Sequence, residues 1–349
     1  MGERILIVGG GGIGGVIASN LVEQGHRVSL AVRRKEIAQR ISEHGLVLRD
    51  EHGQRTIRGE LEVLLDPPEG GEFDFVLLTT QPNQVEEAAR ATAGLLGAHG
   101  VMVCFQNGLC EERVAQVVGE DRVLGAVVSW GASTHGPGSY ERTSAGGFML
   151  GRLSGAEDER IGRLALLLES VGPVDTTSNL RGARWSKLAM NAAISSLGTI
   201  GGERVGRLLV HRFIRRLALE VMTEAVEVAA AEGVTLEKVS GTVDLHWISL
   251  NSAERQSPGS PSLVAKHSLL LAVGARYRKL RSSMLAAIER GREPPIDFLN
   301  GEVVEHGKRR GVPTPVNAAV VDLVRAIANK QETSSLETLK RLYAATRQT

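Results

Sequence analysis

Two groups of residues in this 349-residue chain have types and spacings that could do chemistry. Near the start, Arg4-Ile5-Leu6-Ile7-Val8 runs into Gly9-Gly10-Gly11-Gly12-Ile13-Gly14, a G-x-G-x-x-G pattern at Gly9, Gly11 and Gly14. A strand, a glycine turn and a new helix make a seat for a pyrophosphate. Gly9 permits the turn, Gly11 lets the backbone approach the phosphates, and Gly14 lets the helix pack on the sheet with its N-terminus toward the anion. Gly9, Gly11, Gly12, Ile13 and Gly14 are therefore the expected dinucleotide contacts. The plainer alternative is a glycine-rich turn with no ligand. The second apolar run, Arg27–Val32, ends in Arg33-Arg34-Lys35, without the Asp or Glu that meets an NAD ribose. A guanidinium there can bind a 2′-phosphate through two charged hydrogen bonds, so NADPH is expected over NADH, with Arg33 as the contact. The alternative is a solvated helix start.

The second group is Lys187, Asn191 and Ser195, within Trp185-Ser186-Lys187-Leu188-Ala189-Met190-Asn191-Ala192-Ala193-Ile194-Ser195. Residues four apart share a helix face. A lysine and an asparagine facing a cleft can protonate and orient a reacting carbonyl, whereas on an ordinary amphipathic helix they face water. Spacing alone leaves the two readings level. Of the other polar or aromatic candidates, His135 reads as a surface or structural turn residue and Asp297 as a helix cap or anchor. Trp247, beside His246, reads as core.

Two kinds of scaffold must position these groups. In the first half, Arg4–Val8, Arg27–Val32, Phe73–Thr80, Val101–Phe105 and Val123–Ser129 are continuous apolar runs, the pattern of parallel strands buried on both faces. Gly14–Gln24 and Gln84–Leu96 read as crossover helices, which predicts an α/β, doubly wound parallel sheet. Arg55–Val63 is expected as an extra strand or hairpin arm, Gly146–Arg152 and Val174–Ser178 as later strands, and Glu157–Val171 as the helix between them. From Asn179 onward the pattern is helical, with Arg184–Leu197, Arg212–Glu232, Pro261–Glu289, Phe298–Arg310 and Pro315–Lys330 as helices. The boundary falls near 178–182, giving a dinucleotide-binding domain over 1–180 and a helical domain over 181–349. Ser249–Ser262 reads as a loop, and the polar end after Gln331 is expected to fray.

Composition narrows the partners. Lys+Arg 41 against Asp+Glu 40 leaves a formal charge of +1, which offers no field for nucleic acid or an anionic membrane, so a small molecule is the expected partner. Apolar stretches such as Phe75–Leu78 and Leu269–Val273 are far shorter than the roughly 20 residues of a membrane span, and the chain opens on a strand; a cytoplasmic protein is expected. Its two cysteines, Cys104 and Cys110, match no metal or redox spacing, so reduced thiols and no metal are expected.

Taken together, the chain resembles the ketopantoate (2-dehydropantoate) reductase family. The resemblance rests on the glycine loop, Gln106-Asn107-Gly108, the Trp185–Asn191 segment and Arg281-Ser282-Ser283-Met284-Leu285, and continues through Ile296-Asp297-Phe298-Leu299-Asn300-Gly301 to Gly311-Val312-Pro313-Thr314-Pro315-Val316-Asn317. It implies a Rossmann-type domain, an all-helical domain like that of 6-phosphogluconate dehydrogenase, a cleft between them, a homodimer, and hydride transfer from NADPH to the ketone carbon of a 2-oxo acid. It further implies Lys187 as general acid, Asn107 at the cofactor and substrate edge, and Asn191, Ser195 and Ser283 on the substrate.

This sequence departs from the family pattern at three places. Gln81 stands where the family often has a lysine beside the cofactor, Ser195 where it has a second substrate asparagine, and Pro295 where it has a hydroxyl-binding glutamate, with Glu293 two residues earlier. Ketopantoate is the default substrate, a different carbonyl or hydroxy acid the alternative, and a non-catalytic NADPH-binding regulator a third reading. Pro295 predicts that 2-oxo acids lacking the terminal hydroxyl are accepted nearly as well as ketopantoate. The 246–277 segment, longer than in compact members, is expected to form a different lid or packing arm.

Overall fold

The apolar runs of the first half become neighbouring strands. In chain order the strands are β1 (Ile5–Val8), β2 (Val28–Val32), β3 (Leu46–Asp50), β4 (Gly53–Ile57), β5 (Leu61–Leu65), β6 (Phe73–Leu78), β7 (Leu96–Cys104), β8 (Val123–Val128), β9 (Ala132–Thr134), β10 (Ser139–Arg142), β11 (Phe148–Gly151) and β12 (Val174–Thr177). They alternate with helices α1 (Gly12–Glu23), α2 (Lys35–His44), α3 (Val85–Thr92), α4 (Cys110–Val118) and α5 (Glu159–Leu168). The computed structural model describes residues 2–238, 244–256 and 259–346. It divides into two units, Met1–Leu180 and Arg181–Thr349.

In the first unit an eight-stranded sheet runs in the order β12-β11-β8-β7-β6-β1-β2-β5. Strands β5, β2, β1, β6, β7 and β8 are mutually parallel, β11 lies antiparallel on β8, and β12 is parallel to β11. After β1 the chain adds β2 on one side, then returns to add β6 on the other. That reversal opens a crevice at the carboxyl ends of β1 and β6, where open α/β sheets place ligands. Ile5, Ile7, Leu30, Phe75, Leu77 and Val103 from the strands are buried with Val16, Ile17 and Leu21 of α1. Each such side chain removed from water stabilises the fold by roughly 1.5–3 kcal/mol.

The first half also holds a sheet that the apolar pattern did not announce, in the order β4-β3-β10-β9. Arg55–Val63 is accordingly not one element: it spans the end of β4 and the start of β5, which belong to different sheets. Strand β10 pairs in parallel with β3 and antiparallel with β9. Its register is set by those partners, not by its own polar sequence.

The second unit is helical: α6 (Leu180–Gly201, its first residue in the first unit), α7 (Val205–Leu208), α8 (Arg212–Ala231), α9 (Leu245–Ile248), α10 (Ser252–Gln256), α11 (Pro261–Arg276), α12 (Ser283–Glu289), α13 (Asn300–Arg310), α14 (Pro315–Ala328) and α15 (Leu336–Thr346). The expected helix over Pro261–Glu289 is two helices. The chain breaks at Tyr277–Ser282, where the Leu280 carbonyl accepts from the Val205 amide (2.9 Å) and Ser282 caps α12 by accepting from the Leu285 amide (3.3 Å). The Ser249–Ser262 loop contains α10, while residues 257 and 258 lie outside the described residues. The polar end is helical as α15, because Leu339 and Leu342 are buried; 347–349 lie outside the described residues. Trp247 on α9 is 44% exposed, not core.

Helix α6 is held from behind by a polar network. Buried Glu224 of α8 accepts from the Val316 and Asn317 amides (2.8 Å each) and from Asn317 Nδ2 (2.7 Å), capping α14. Asn300 Nδ2 then donates to Asn317 Oδ1 (2.9 Å) and to the Ala192 carbonyl of α6 (3.2 Å). Among the described residues no helix is long and apolar enough to cross a membrane.

Candidate active site

The glycine loop closes on the end of β6. Thr79 Oγ1 donates to the carbonyls of Val8 (3.1 Å) and Gly9 (2.9 Å), and Gly9 turns at φ +118°. A methyl group on Gly14 would lie 2.1 Å from the Gly9 carbonyl and 2.3 Å from Thr79 Oγ1, so α1 approaches the strand as closely as only glycine allows. At Gly11 a Cβ would meet nothing within 4 Å. Gly11 is also the N-cap of α1, without a side-chain cap, and the first turn carries no acidic residue. The loop is therefore packed on its inner side and open at the helix N-terminus, where amide dipoles favour an anion. Gly12 faces β9, where a methyl group would lie 3.0 Å from Ala132, and Ile13 is partly buried against the same core.

The other residues expected on this side sit on adjacent strand ends. Arg33 and Arg34 follow β2 and are exposed. Gln81 follows β6, exposed, at the start of a single 3₁₀ turn over Pro82–Gln84. Buried Gln106 donates from Nε2 to the Leu78 carbonyl (2.9 Å) and the Thr80 carbonyl (3.3 Å), tying the end of β7 to the end of β6. Exposed Asn107 comes next, and Gly108 at φ +93° turns the chain toward α4. Gly9, Gly11, Gly12, Ile13, Gly14, Arg33, Gln81 and Asn107 thus gather on the carboxyl ends of four neighbouring strands, β7-β6-β1-β2.

Sequence reasoning missed Tyr140. Its ring occupies the space where a Gly15 side chain would lie, with a contact of 2.3 Å, and its hydroxyl donates to the Gly10 carbonyl (3.4 Å). Burial pushes its pKa up to about 12, with nearby Arg34 opposing, so it stays a neutral donor buttressing the loop. In Ser139-Tyr140-Glu141-Arg142 it is the one apolar-bodied residue; only the extra glycine at 15 hinted at a large side chain against α1. Cys104 and Cys110 are both buried and are not joined in a disulfide.

In the helical unit, α6 presents one open stripe. From Gly182 to Gly201 every residue is buried except Lys187, Met190, Asn191, Ile194 and Ser195, which are half-buried. Lys187, Asn191 and Ser195 form its polar edge. The Ser195 carbonyl accepts from Ser282 Oγ and from Thr199 Oγ1 (2.8 Å each), which seats the start of α12 beside the stripe and places exposed Ser283 one residue further on. Pro295 is half-buried, its carbonyl accepts from the Phe298 amide (3.3 Å), and its side chain is an apolar ring without a carboxylate. Glu293 is exposed, and Asp297 pairs with Arg325 (2.6 Å), an anchor to α14. In the first unit, exposed His135 pairs with Glu141 on β10 as a structural residue.

Two models of the ketopantoate reductase PanE/ApbA family match this chain, one over residues 5–155 and the C-terminal one over 179–328. This chain belongs to the ketopantoate reductase family. Family membership makes it an oxidoreductase and accounts for the Rossmann-like sheet followed by helices. It is similar to the 2-dehydropantoate 2-reductase of Pyrococcus horikoshii, at 24% identity over 93% of this chain and 97% of that protein. Its fold matches a PanE/ApbA family ketopantoate reductase from Ralstonia eutropha JMP134 with a TM-score of 0.78 and 26% identity, covering 95% of this chain and 100% of that one. D-mandelate dehydrogenase, solved with NADH and anilino(oxo)acetate, also has a TM-score of 0.78, at 21% identity over 94% of this chain and 99% of that one; that likeness concerns fold alone. The ketopantoate reductase scaffold therefore carries more than one named activity.

Proposed function

We propose that this protein catalyses NADPH-dependent reduction of a 2-oxo acid to a 2-hydroxy acid, with 2-dehydropantoate to pantoate as the reference reaction. The observation that carries the reading is the stripe of Lys187, Asn191 and Ser195, open on a helix otherwise buried, in a chain of this family. When bound, NADPH supplies the hydride to the carbonyl carbon. Residues 1–180 hold it: the Gly9, Gly11, Gly12, Ile13 and Gly14 backbone takes the pyrophosphate, Arg33 the 2′-phosphate, Gln81 adds a further cofactor contact, and Asn107 meets the cofactor at the substrate edge. Residues 181–349 hold the substrate and form the homodimer contact. Lys187 donates a proton to the developing alkoxide, and its charge stabilises that oxygen more than it stabilises the neutral ketone. Asn191, Ser195 and Ser283 bind the carboxylate and hydroxyl end, and Asn107 orients the carbonyl. The setting is cytoplasmic, and the partner is a small molecule rather than nucleic acid or membrane.

A second reading, a related reductase with another carbonyl substrate, is favoured by one observation: Pro295 brings an apolar ring, not a carboxylate, to the position where the family has a hydroxyl-binding glutamate. NADPH oxidation against a panel of 2-oxo acids separates them. Rapid turnover of ketopantoate supports the reference reaction, turnover of other carbonyls the second reading, and NADPH binding without turnover a non-catalytic regulator.

A further inference from the structure

The polar edge of the α6 stripe has an apolar counterpart. Met190 and Ile194 lie one turn from Lys187 and Asn191, and they share the open stripe with them. Behind them is a cavity of about 40 Å³ within the helical unit, floored by Leu209, Met222 and Leu270 and bounded by Val273 of α11. Every residue that lines it is apolar or glycine. Protein interiors are normally packed to crystal density, and dry voids are few. Its lining is buried except at Met190 and Ile194 of α6 and Val273 of α11, which are half-buried, and Met190 and Ile194 are the stripe residues three positions on from Lys187 and Asn191. Gly198, on the same face of α6, leaves its wall without a side chain; a methyl there would meet Ser282 at 3.1 Å.

We infer that this cavity is a substrate subsite for the apolar side chain of a branched 2-oxo acid. The inference rests on the proposed reduction of 2-oxo acids and names their class. Size sets the first limit. A water-sized sphere needs about 10–15 Å³, so the space takes at least roughly three such spheres, room for a small branched alkyl group. Polarity sets the second. With no polar lining side chain, a buried hydroxyl finds no partner, and an unpartnered hydroxyl is costly to desolvate. The preferred substrates are therefore 2-oxo acids with isobutyl or tert-butyl substituents, such as 4-methyl-2-oxopentanoate and 2-oxo-3,3-dimethylbutanoate. Pro295 agrees with this, since its side chain supplies no carboxylate to a terminal hydroxyl.

The test compares kcat/KM for these two acids with that for pyruvate, in the wild type and in two variants. The wild type should favour the branched acids by about 10- to 100-fold, the span that apolar pockets give. Val273→Phe, at a half-buried lining position, should bring that ratio within about threefold of unity, while Leu270→Ala, which deepens the floor, should move the optimum to a longer chain. Binding of 4-methyl-2-oxopentanoate and pyruvate to the NADP⁺ complex, followed by calorimetry, gives a readout independent of turnover. Equal turnover of pyruvate and the branched acids overturns the subsite and leaves the reductase reading standing. So does a preference that neither variant alters. Absence of turnover with any 2-oxo acid, combined with tenfold tighter binding of the branched acid that Val273→Phe abolishes, sinks the reductase reading and upholds the subsite. Absence of both turnover and binding preference overturns both.

Discussion

The sheet edge and the α6 stripe are built by opposite means. At the carboxyl ends of β1 and β6 the proposed cofactor surface is backbone: a glycine loop pinned by Thr79, packed so closely at Gly14 that no side chain fits, and backed by Tyr140. On α6 the surface is side chains: Lys187, Met190, Asn191, Ile194 and Ser195 projecting from a helix whose other faces are locked by Asn300 and Ser282. A backbone site can change only by refolding. A side-chain site can change one residue at a time without disturbing its scaffold; of the three places where the sequence leaves its family's pattern, Ser195 and Pro295 are on the helical side, and Gln81, again a side chain, is on the sheet side. The lesson is that the glycine loop is held by its packing, while positions occupied by side chains, on either region, are the ones free to drift.

Substitutions should separate the two regions. The largest effect is expected at Lys187: Lys187→Ala should lower kcat by about 10²–10⁴-fold, the span of general acid catalysis, with the Kd for NADPH within about threefold of wild type. Near-native turnover by the folded variant would remove Lys187 from the chemistry, and an equal loss in NADPH affinity would erase the division of labour. On the sheet side Gly14→Ala forces a methyl to within 2.1 Å of the Gly9 carbonyl. Overpacking of this kind costs about 1–3 kcal/mol, so NADPH affinity should fall by roughly 10- to 100-fold. Unchanged affinity by fluorescence titration would show that the loop does not hold the cofactor. Arg33→Ala should remove about one to two decades of NADPH-over-NADH preference, measured for both cofactors at one salt concentration. A preference that survives would place the 2′-phosphate elsewhere.

The smallest effect contrasts the units by pH. Tyr140 is raised from 10.0 to about 12 by burial, so the folded state keeps a proton that the unfolded chain releases; its contribution is full below about pH 10 and is lost as pH rises through 12. His267 on α11 is lowered from 6.5 to about 4, by burial and then by Arg215, Arg212 and Arg216, so its contribution is full above about pH 6.5 and is lost as pH falls through 4. Each is worth about 2–3 kcal/mol. Urea midpoints should decline on both sides, with Tyr140→Phe flattening the alkaline limb and His267→Gln the acid limb. Limbs that stay unchanged in these variants would assign the pH dependence to other groups.

What was legible in the sequence follows the same division. Apolar runs of parallel strands and the glycine loop announce themselves because burial on both faces and close backbone approach each demand a narrow set of residues. The β3–β4–β10–β9 sheet did not, since strands such as Gly53–Ile57 and Ser139–Arg142 are mostly polar and exist through their pairing. Nor did the break at Tyr277–Ser282, which has neither glycine nor proline and is set by contacts with Val205 and Ser195 from distant elements. Spacing placed Lys187, Asn191 and Ser195 on one face but left open whether that face met water or a substrate. That the rest of α6 is buried narrows the choice in a way no periodicity could.

The most direct measurement is the fate of the transferred hydrogen. With NADPH deuterated at the transferable position of the nicotinamide ring, turnover of ketopantoate or 4-methyl-2-oxopentanoate should yield the 2-hydroxy acid carrying one deuterium on the carbon that was the ketone. A product without deuterium at that carbon, or NADPH binding with no 2-hydroxy acid formed from any 2-oxo acid, would contradict the account.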